Sequence, residues 1–273
     1  MKIQNDAGKR KPTKTVSQPS KVTIRKLPTG VRGLDEILGG GIPEFSFNII
    51  AGTPGCGKTT MAHQIVFANA TAKKPALFFT VLGEPALKML RYQQQYSFFD
   101  ESKLGKAIRF INLADVVMEK DLNAVFDEIT KQVTAINPGI VVVDSFRTVM
   151  RKATAGVSEM EMQSFIQRLA QFLTSWEATT FLVGEYDPAE IRDNPVFTIA
   201  DGLFWLSQKA ERNSVVRKLQ IMKVRGQASV PGLHTIRISQ MLLRPHAFAT
   251  AMKARGGSTK VGIATRIQNT SST

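Results

Sequence analysis

Apolar and polar positions along the chain fall into blocks whose period switches between the two of a strand and the 3.6 of a helix. Phe47-Asn48-Ile49-Ile50-Ala51 reads as a short strand ending at Gly52, followed by a helix from Lys58 to about Ala70. A second strand (76–81) and helix (Glu84 to about Tyr96) follow, then a third strand at Ile108–Ile111. A helix over about 121–136 carries Leu122, Val125, Phe126, Ile129, Val133 and Ile136 on one face. Ile140-Val141-Val142-Val143 is apolar without alternation, as a strand covered on both faces should be. The clearest helix is 158–176. Its stripe is Met162, Phe165, Ile166, Leu169, Phe172, Leu173 and Trp176, and Ser158 with Glu161 forms a capping box at its start. Thr179 to Glu185 is another buried-type strand.

From Gly202 onward strands follow one another without helices: Leu203–Leu206, Val215–Val224, Thr235–Ile238 and a weaker one near Met241–Leu243. This order predicts an α/β fold, a mostly parallel twisted sheet flanked by helices and extended by C-terminal antiparallel strands. Residues 25–249 form one domain. Residues 1–24 and 250–273 are polar, basic and without periodicity, and read as flexible tails.

Charge changes this picture less than its total suggests. The net charge is +14, but residues 1–26 carry eight Lys/Arg against one acid and residues 250–273 four against none. Only +3 is left for the more than 220 residues between. The tails can adhere weakly to any polyanion, which is not the patterned basic face of a specific nucleic-acid binder. No apolar run approaches membrane-span length, and Met1–Asp6 lacks the apolar stretch of a secretory signal. The single Cys56 cannot form an internal disulfide, so a cytoplasmic location is expected.

The chemistry concentrates at Gly52-Thr53-Pro54-Gly55-Cys56-Gly57-Lys58-Thr59, a G-x-x-x-x-G-K-T phosphate-binding loop between a strand and a helix. Glycines let the backbone turn several N–H groups toward one phosphate chain, and the helix starting at Lys58 adds its positive end. Lys58 places a cation on the β- and γ-phosphates, and the Thr59 hydroxyl is the expected Mg2+ ligand, with Thr60 beside it. Cys56 reads as a small filler. Asp144 follows the strand 140–143 and is the expected partner of Mg2+, through water or Thr59.

Hydrolysis also needs a group that orients water. Glu84 is the first candidate, because it follows the strand 76–82, which is expected near the phosphate-loop strand. It also reads as an acid that, with Pro85, opens a helix. Glu185, at the end of the strand 179–184, competes for the role and is equally placed to sense the γ-phosphate. Lys223 and Arg225 in Lys223-Val224-Arg225-Gly226 suit an arginine-finger role at a neighbour's phosphates, or a solvated strand end.

Leu27-Pro28-Thr29-Gly30, Gly33-Leu34-Asp35, Leu38-Gly39-Gly40-Gly41-Ile42-Pro43, the phosphate loop, Asp144-Ser145, Ala200-Asp201-Gly202 and Lys223-Val224-Arg225-Gly226 occur in order. Together they resemble the KaiC-type ATPase domain of the RecA/RadA P-loop superfamily over residues 24–246. The resemblance implies a RecA-like P-loop NTPase core that binds ATP with Mg2+. It implies a homo-oligomer, a six-membered ring with ATP between subunits, in which Lys223 and Arg225 come from the neighbour. It implies control of protein partners in signalling.

Three departures qualify it. Typical domains of this kind carry two adjacent glutamates before a Thr-Pro or Ser-Pro pair, where this chain has Leu82 and Gly83, with Glu84 shifted by one. Slow turnover, or a nucleotide-binding scaffold, is therefore an alternative. The clock protein has two such domains, so this chain is either a single-domain relative or one half of a longer protein. Its phosphorylated Ser-Thr pair has no counterpart, so autokinase activity lacks residue support. The remaining alternative is a DNA-acting RecA/RadA-type recombination ATPase. The loops where such a protein would contact DNA, 152–157 and 187–198, hold only Lys152 and Arg192 against Asp187, Glu190 and Asp193.

Overall fold

The computed structural model describes residues 23–81, 86–119, 121–153, 158–211, 214–238 and 243–246. Glu84, the Leu82-Gly83 departure and almost all of both basic tails lie outside them. The strands are β1 (Lys26–Leu27), β2 (Ile42–Pro43), β3 (Phe47–Gly52), β4 (Ala76–Thr80), β5 (Ile108–Asn112), β6 (Ile140–Asp144), β7 (Thr179–Glu185), β8 (Gly202–Glu211), β9 (Ser214–Val224), β10 (Leu233–Ile238) and β11 (Leu243–His246). The helices are α1 (Leu34–Ile37), α2 (Lys58–Asn69), α3 (Ala86–Gln93), α4 (Ala114–Glu119), α5 (Leu122–Ile136), α6 (Phe146–Ala153), α7 (Glu159–Ser175) and α8 (Pro195–Ile199).

Strands β3 to β11 form one sheet in the order β11-β10-β9-β8-β3-β7-β6-β4-β5. The six from β8 to β5 are parallel, and β9, β10 and β11 extend the sheet antiparallel. The alternation within each strand splits the core in two. Ile49, Leu77, Phe79, Val141 and Val143 face α5, α6 and α7, while Ile50, Phe78, Ile140 and Val142 face α1 and α2. The apolar stripes of α5 and α7 both pack into the first cluster. The capping box closes as its spacing requires: Ser158 N–H donates to Glu161 Oε2 at 2.8 Å, and Glu161 N–H to Ser158 Oγ at 3.3 Å.

Two expectations need correction. The strand 76–80 does not lie beside the phosphate-loop strand, because β7 and β6 stand between β4 and β3. The carboxylate on the adjacent strand is instead Glu185, whose residue pairs with Gly52 in the β3–β7 ladder. Strand β8 also runs on to Glu211, well past Leu206. Ser207 to Glu211 are mostly polar and fall outside the expected strand, but antiparallel pairing to β9 satisfies their backbone and extends the ribbon past the buried sheet. A bulge opposite Leu203 and Phe204 inserts Met222 and turns Lys223 to the face opposite Arg217.

Candidate active site

The site forms where β3 ends at the centre of the parallel strands. From β3 the chain crosses outward to β4, and later returns to lay β8 on the other side of β3. Ligands collect at the carboxyl ends of strands at such a reversal. Gly52 has φ 144°, and a Cβ there would lie 1.8 Å from the Leu206 carbonyl oxygen, so only glycine lets the loop leave β3 against β8. The left-handed Gly57 (φ 103°) then caps α2, whose first turn presents Lys58, Thr59 and Thr60.

A cavity of about 510 Å3 opens over this loop. Gly55, Gly57, Lys58, Thr59 and Thr60 line one side, and Asp144, Ser145 and Glu185 another. Lys58 is only 6% exposed. Its Nζ donates to the Thr53 carbonyl at 2.8 Å and stands 3.8 Å from Glu185 Oε1. The Thr59 hydroxyl donates to Asp144 Oδ2 at 2.6 Å. Desolvation raises the Asp144 carboxyl to about 6, against the lowering effects of the Thr59 hydrogen bond and of Lys58. A divalent cation at Thr59 and Asp144 would restore the ionised form. Among the described residues no three His, Cys, Asp or Glu side chains cluster to cage a metal. That fits Mg2+, which commonly takes one or two protein ligands and completes its octahedron with water and phosphate oxygens. Burial pushes the Cys56 thiol up even though Lys58 Nζ is 3.8 Å from its sulfur, so Cys56 is an inert filler here.

Several residues at the site carry no short motif. Tyr96, Arg147, Thr148, Arg151 and Arg217 line the cavity. Gln208 Nε2 donates to the Pro54 carbonyl at 2.9 Å and Arg217 Nε to the Gly55 carbonyl at 3.4 Å, so a cross-strand pair of the β8–β9 ribbon fastens the loop tip. The arginines follow Asp144 by three and seven residues, a helical spacing that would have placed them near it had α6 been anticipated.

His63 lies one turn beyond Thr59, fully buried and stacked on Phe78 at 4.4 Å. Its Nδ1 is 2.8 Å from the Thr59 carbonyl and must carry the proton, because a carbonyl only accepts. Burial lowers its pKa to about 4. The unfolded chain therefore takes up this proton below about pH 6.5 and the folded chain does not, so stability falls as the pH drops from 6.5 toward 4. Asp144 acts in the opposite sense, its destabilising ionisation being relieved below about 6. We expect urea unfolding of wild type to lose roughly 2 kcal/mol more between pH 7 and pH 5 than unfolding of His63→Gln. Equal pH slopes would mean that His63 is protonated in the fold.

Lys223 and Arg225 are not at this cavity. They lie where β9 pairs with the start of β8, at the opposite end of the parallel strands, about 10 Å (Lys223) and about 17 Å (Arg225) along the strands from the level of Gly52. Lys223 Nζ donates to the Thr198 carbonyl at 3.1 Å, and Arg225 pairs with Asp201 at 3.1 Å while remaining largely exposed.

The family model described as the KaiC ATPase matches residues 27–244. The chain belongs to the KaiC family of ATPases. The circadian clock oscillator protein KaiC of Prochlorococcus marinus is 25% identical over 228 residues, covering 80% of this chain and 44% of that protein. The DNA repair protein RadA of Mycobacterium tuberculosis is 32% identical over 134 residues, covering 49% of this chain and 25% of RadA. The chain thus spans less than half the length of these curated relatives. A KaiC-like protein from the hyperthermophilic archaeon Pyrococcus horikoshii has the same fold, with a TM-score of 0.70 and 23% identity over 82% of this chain and all of that one. The KaiC family and the RadA relatives put this chain among the ATPases of the RecA superfamily. Among the described residues no helix is long and apolar enough to cross a membrane.

Proposed function

We propose that this chain binds ATP with Mg2+ on the loop 52–59, hydrolyses it, and works as a homo-oligomer with each nucleotide shared between two subunits. Its nucleotide state would then control protein partners in signalling. The observation that carries this reading is the division of the charged machinery between opposite ends of one sheet. Lys58, Thr59, Asp144 and Glu185 converge on the cavity, whereas Lys223 and Arg225 face away from it. Cations so placed cannot reach their own phosphates but can reach those of a neighbour stacked head to tail.

Loop N–H groups and α2 bind the phosphate chain, and Lys58 exchanges the Thr53 carbonyl for the β- and γ-phosphates. Thr59 and Asp144 would hold Mg2+, which neutralises charge developing between those phosphates. Glu185 is within reach of Lys58 and is the described carboxylate best placed to orient water or register the γ-phosphate.

A DNA-acting role has weaker support, although RadA is among the relatives. In the segment 187–198, Glu190 is bound to Arg147, and Asp187 and Asp193 flank it, which is a poor path for a phosphate backbone.

Turnover of Glu84→Gln and Glu185→Gln, measured beside wild type, separates an enzyme from a scaffold. We expect one of the two to lose about 10²-fold in kcat while the other changes little. Wild-type turnover at background, unchanged by either substitution, would leave a nucleotide-binding scaffold instead.

A further inference from the structure

Arg147 is the second residue of α6, just beyond Asp144 and Ser145, and lines the nucleotide cavity. The hydrolytic chemistry described above does not use it. Its NH1 donates to both oxygens of Glu190, at 2.6 and 2.8 Å, and its guanidinium carbon lies 4.9 Å from the centre of the Tyr186 ring. Tyr186 is buried and packs edge-on against Phe197 at 5.0 Å. Glu190 in turn accepts the Asp187 N–H at 2.7 Å and so ties the turn back on itself. A Cβ on residue 184 would lie 2.4 Å from Tyr186 Cε2 and 3.3 Å from Arg147 Cβ, so Gly184 is the gap that lets the ring fold back under the arginine.

Glu185 sits between Gly184 and Tyr186. Its side chain is 57% exposed, and Lys58 Nζ stands 3.8 Å from its carboxylate. Lys58 must turn to phosphate when nucleotide binds, so that contact cannot keep Glu185 aimed during the reaction. The flanking residues can. We propose that Arg147 is a positioning residue: by clasping Tyr186 and Glu190 it fixes the end of β7 and aims Glu185 at the phosphate end of the cavity. The proposal rests on the ATPase reading above with Glu185, rather than Glu84, as the water-orienting carboxylate. An ordinary surface ion pair would add little to stability and affect nothing else. This pair joins the helix behind Asp144 to the turn behind Glu185, the two arms of the site. Glu190 engages only NH1, so the test must separate aiming of Glu185 from direct phosphate contact by the remaining guanidinium donors.

The test compares full-length wild type, Arg147→Met, Arg147→Lys, Glu190→Gln and the Arg147→Met/Glu190→Gln double variant. A misaimed carboxylate lowers kcat without weakening nucleotide binding. We expect Arg147→Met to lose about 10-fold or more in kcat, with KM for ATP and Kd for ADP changed less than about 3-fold. Arg147→Lys should recover part of the loss. The double variant should be no worse than the worse single one, because both substitutions break one clasp. Unchanged kcat, additive losses, or KM and Kd rising in step with the fall in kcat would overturn the proposal, the last by making Arg147 a phosphate ligand. Hydrogen exchange over residues 185–191 gives a readout independent of turnover. If wild type itself proves inactive, the ATPase reading fails, and Arg147→Met should still speed exchange at these amides. Unaltered exchange there would overturn the clasp.

Discussion

Lys58→Ala should lose essentially all ATP turnover, at least about 10²–10³-fold, together with the stabilisation that ATP gives the wild-type fold. Lys58 is an almost fully buried cation, held by the Thr53 carbonyl at 2.8 Å and by Glu185 at 3.8 Å, so its burial carries a desolvation cost. Removing it relieves that desolvation cost. The melting temperature without nucleotide should therefore hold or rise, which excludes misfolding as the cause of the lost activity. With Mg-ATP at about 100 times its Kd, wild type gains about 2.7 kcal/mol by mass action, and Lys58→Ala should gain almost none. Thermal melts with and without Mg-ATP, paired with phosphate-release rates, provide the check. A wild-type melting shift in Lys58→Ala would sink the assignment of the loop.

The parts of this site that were legible in the sequence are those whose chemistry needs fixed spacing. Lys58 and Thr59 must follow the glycines directly, because loop N–H groups, cation and hydroxyl converge on one phosphate chain. Asp144 was legible because four apolar residues end on a single acid, and the structure brings it to Thr59 across 85 positions. Strands β3, β6 and β7 and helices α5 and α7 read correctly because each carries several apolar residues in one pattern. Residues whose role depends on tertiary approach stayed hidden. Gln208 and Arg217 meet the loop only because a polar ribbon keeps its pairing beyond the buried sheet. Arg147 reaches Glu190 only through the fold of a turn 43 residues away. Strand order was the least legible feature. Nothing in the period of 76–81 indicates that two strands separate it from β3, and the neighbour of the loop proved to be the strand ending at Glu185. Short elements such as α1, α6 and α8 have too few residues for a period to emerge.

Arg225→Ala should leave the fold almost unchanged and cut turnover by about 10³-fold, the loss expected when a cation is withdrawn from the phosphate of a neighbouring site. The fold should hold because Asp201, its partner, keeps other ties. Asp201 Oδ2 accepts the Phe47 N–H at 3.0 Å, and the Arg225–Asp201 pair is exposed. Loss of activity alone would not show that the arginine acts between subunits, so the decisive measurement mixes two inactive variants. In an equimolar mixture of Lys58→Ala and Arg225→Ala, an interface is intact wherever the Arg225→Ala subunit supplies the loop and a Lys58→Ala subunit supplies the arginine. Random assembly head to tail makes that about a quarter of all interfaces, so activity should return to roughly a quarter of wild type. An arginine acting within its own subunit cannot be rescued in this way, because no subunit of either variant carries both groups. A mixture as inactive as its components would refute the shared site. Activity in Arg225→Ala alone would refute the finger itself. Arg225 lies about 17 Å along the strands from the level of Gly52, which makes recovery the expected result, since folding places the two groups apart and only assembly can bring them together.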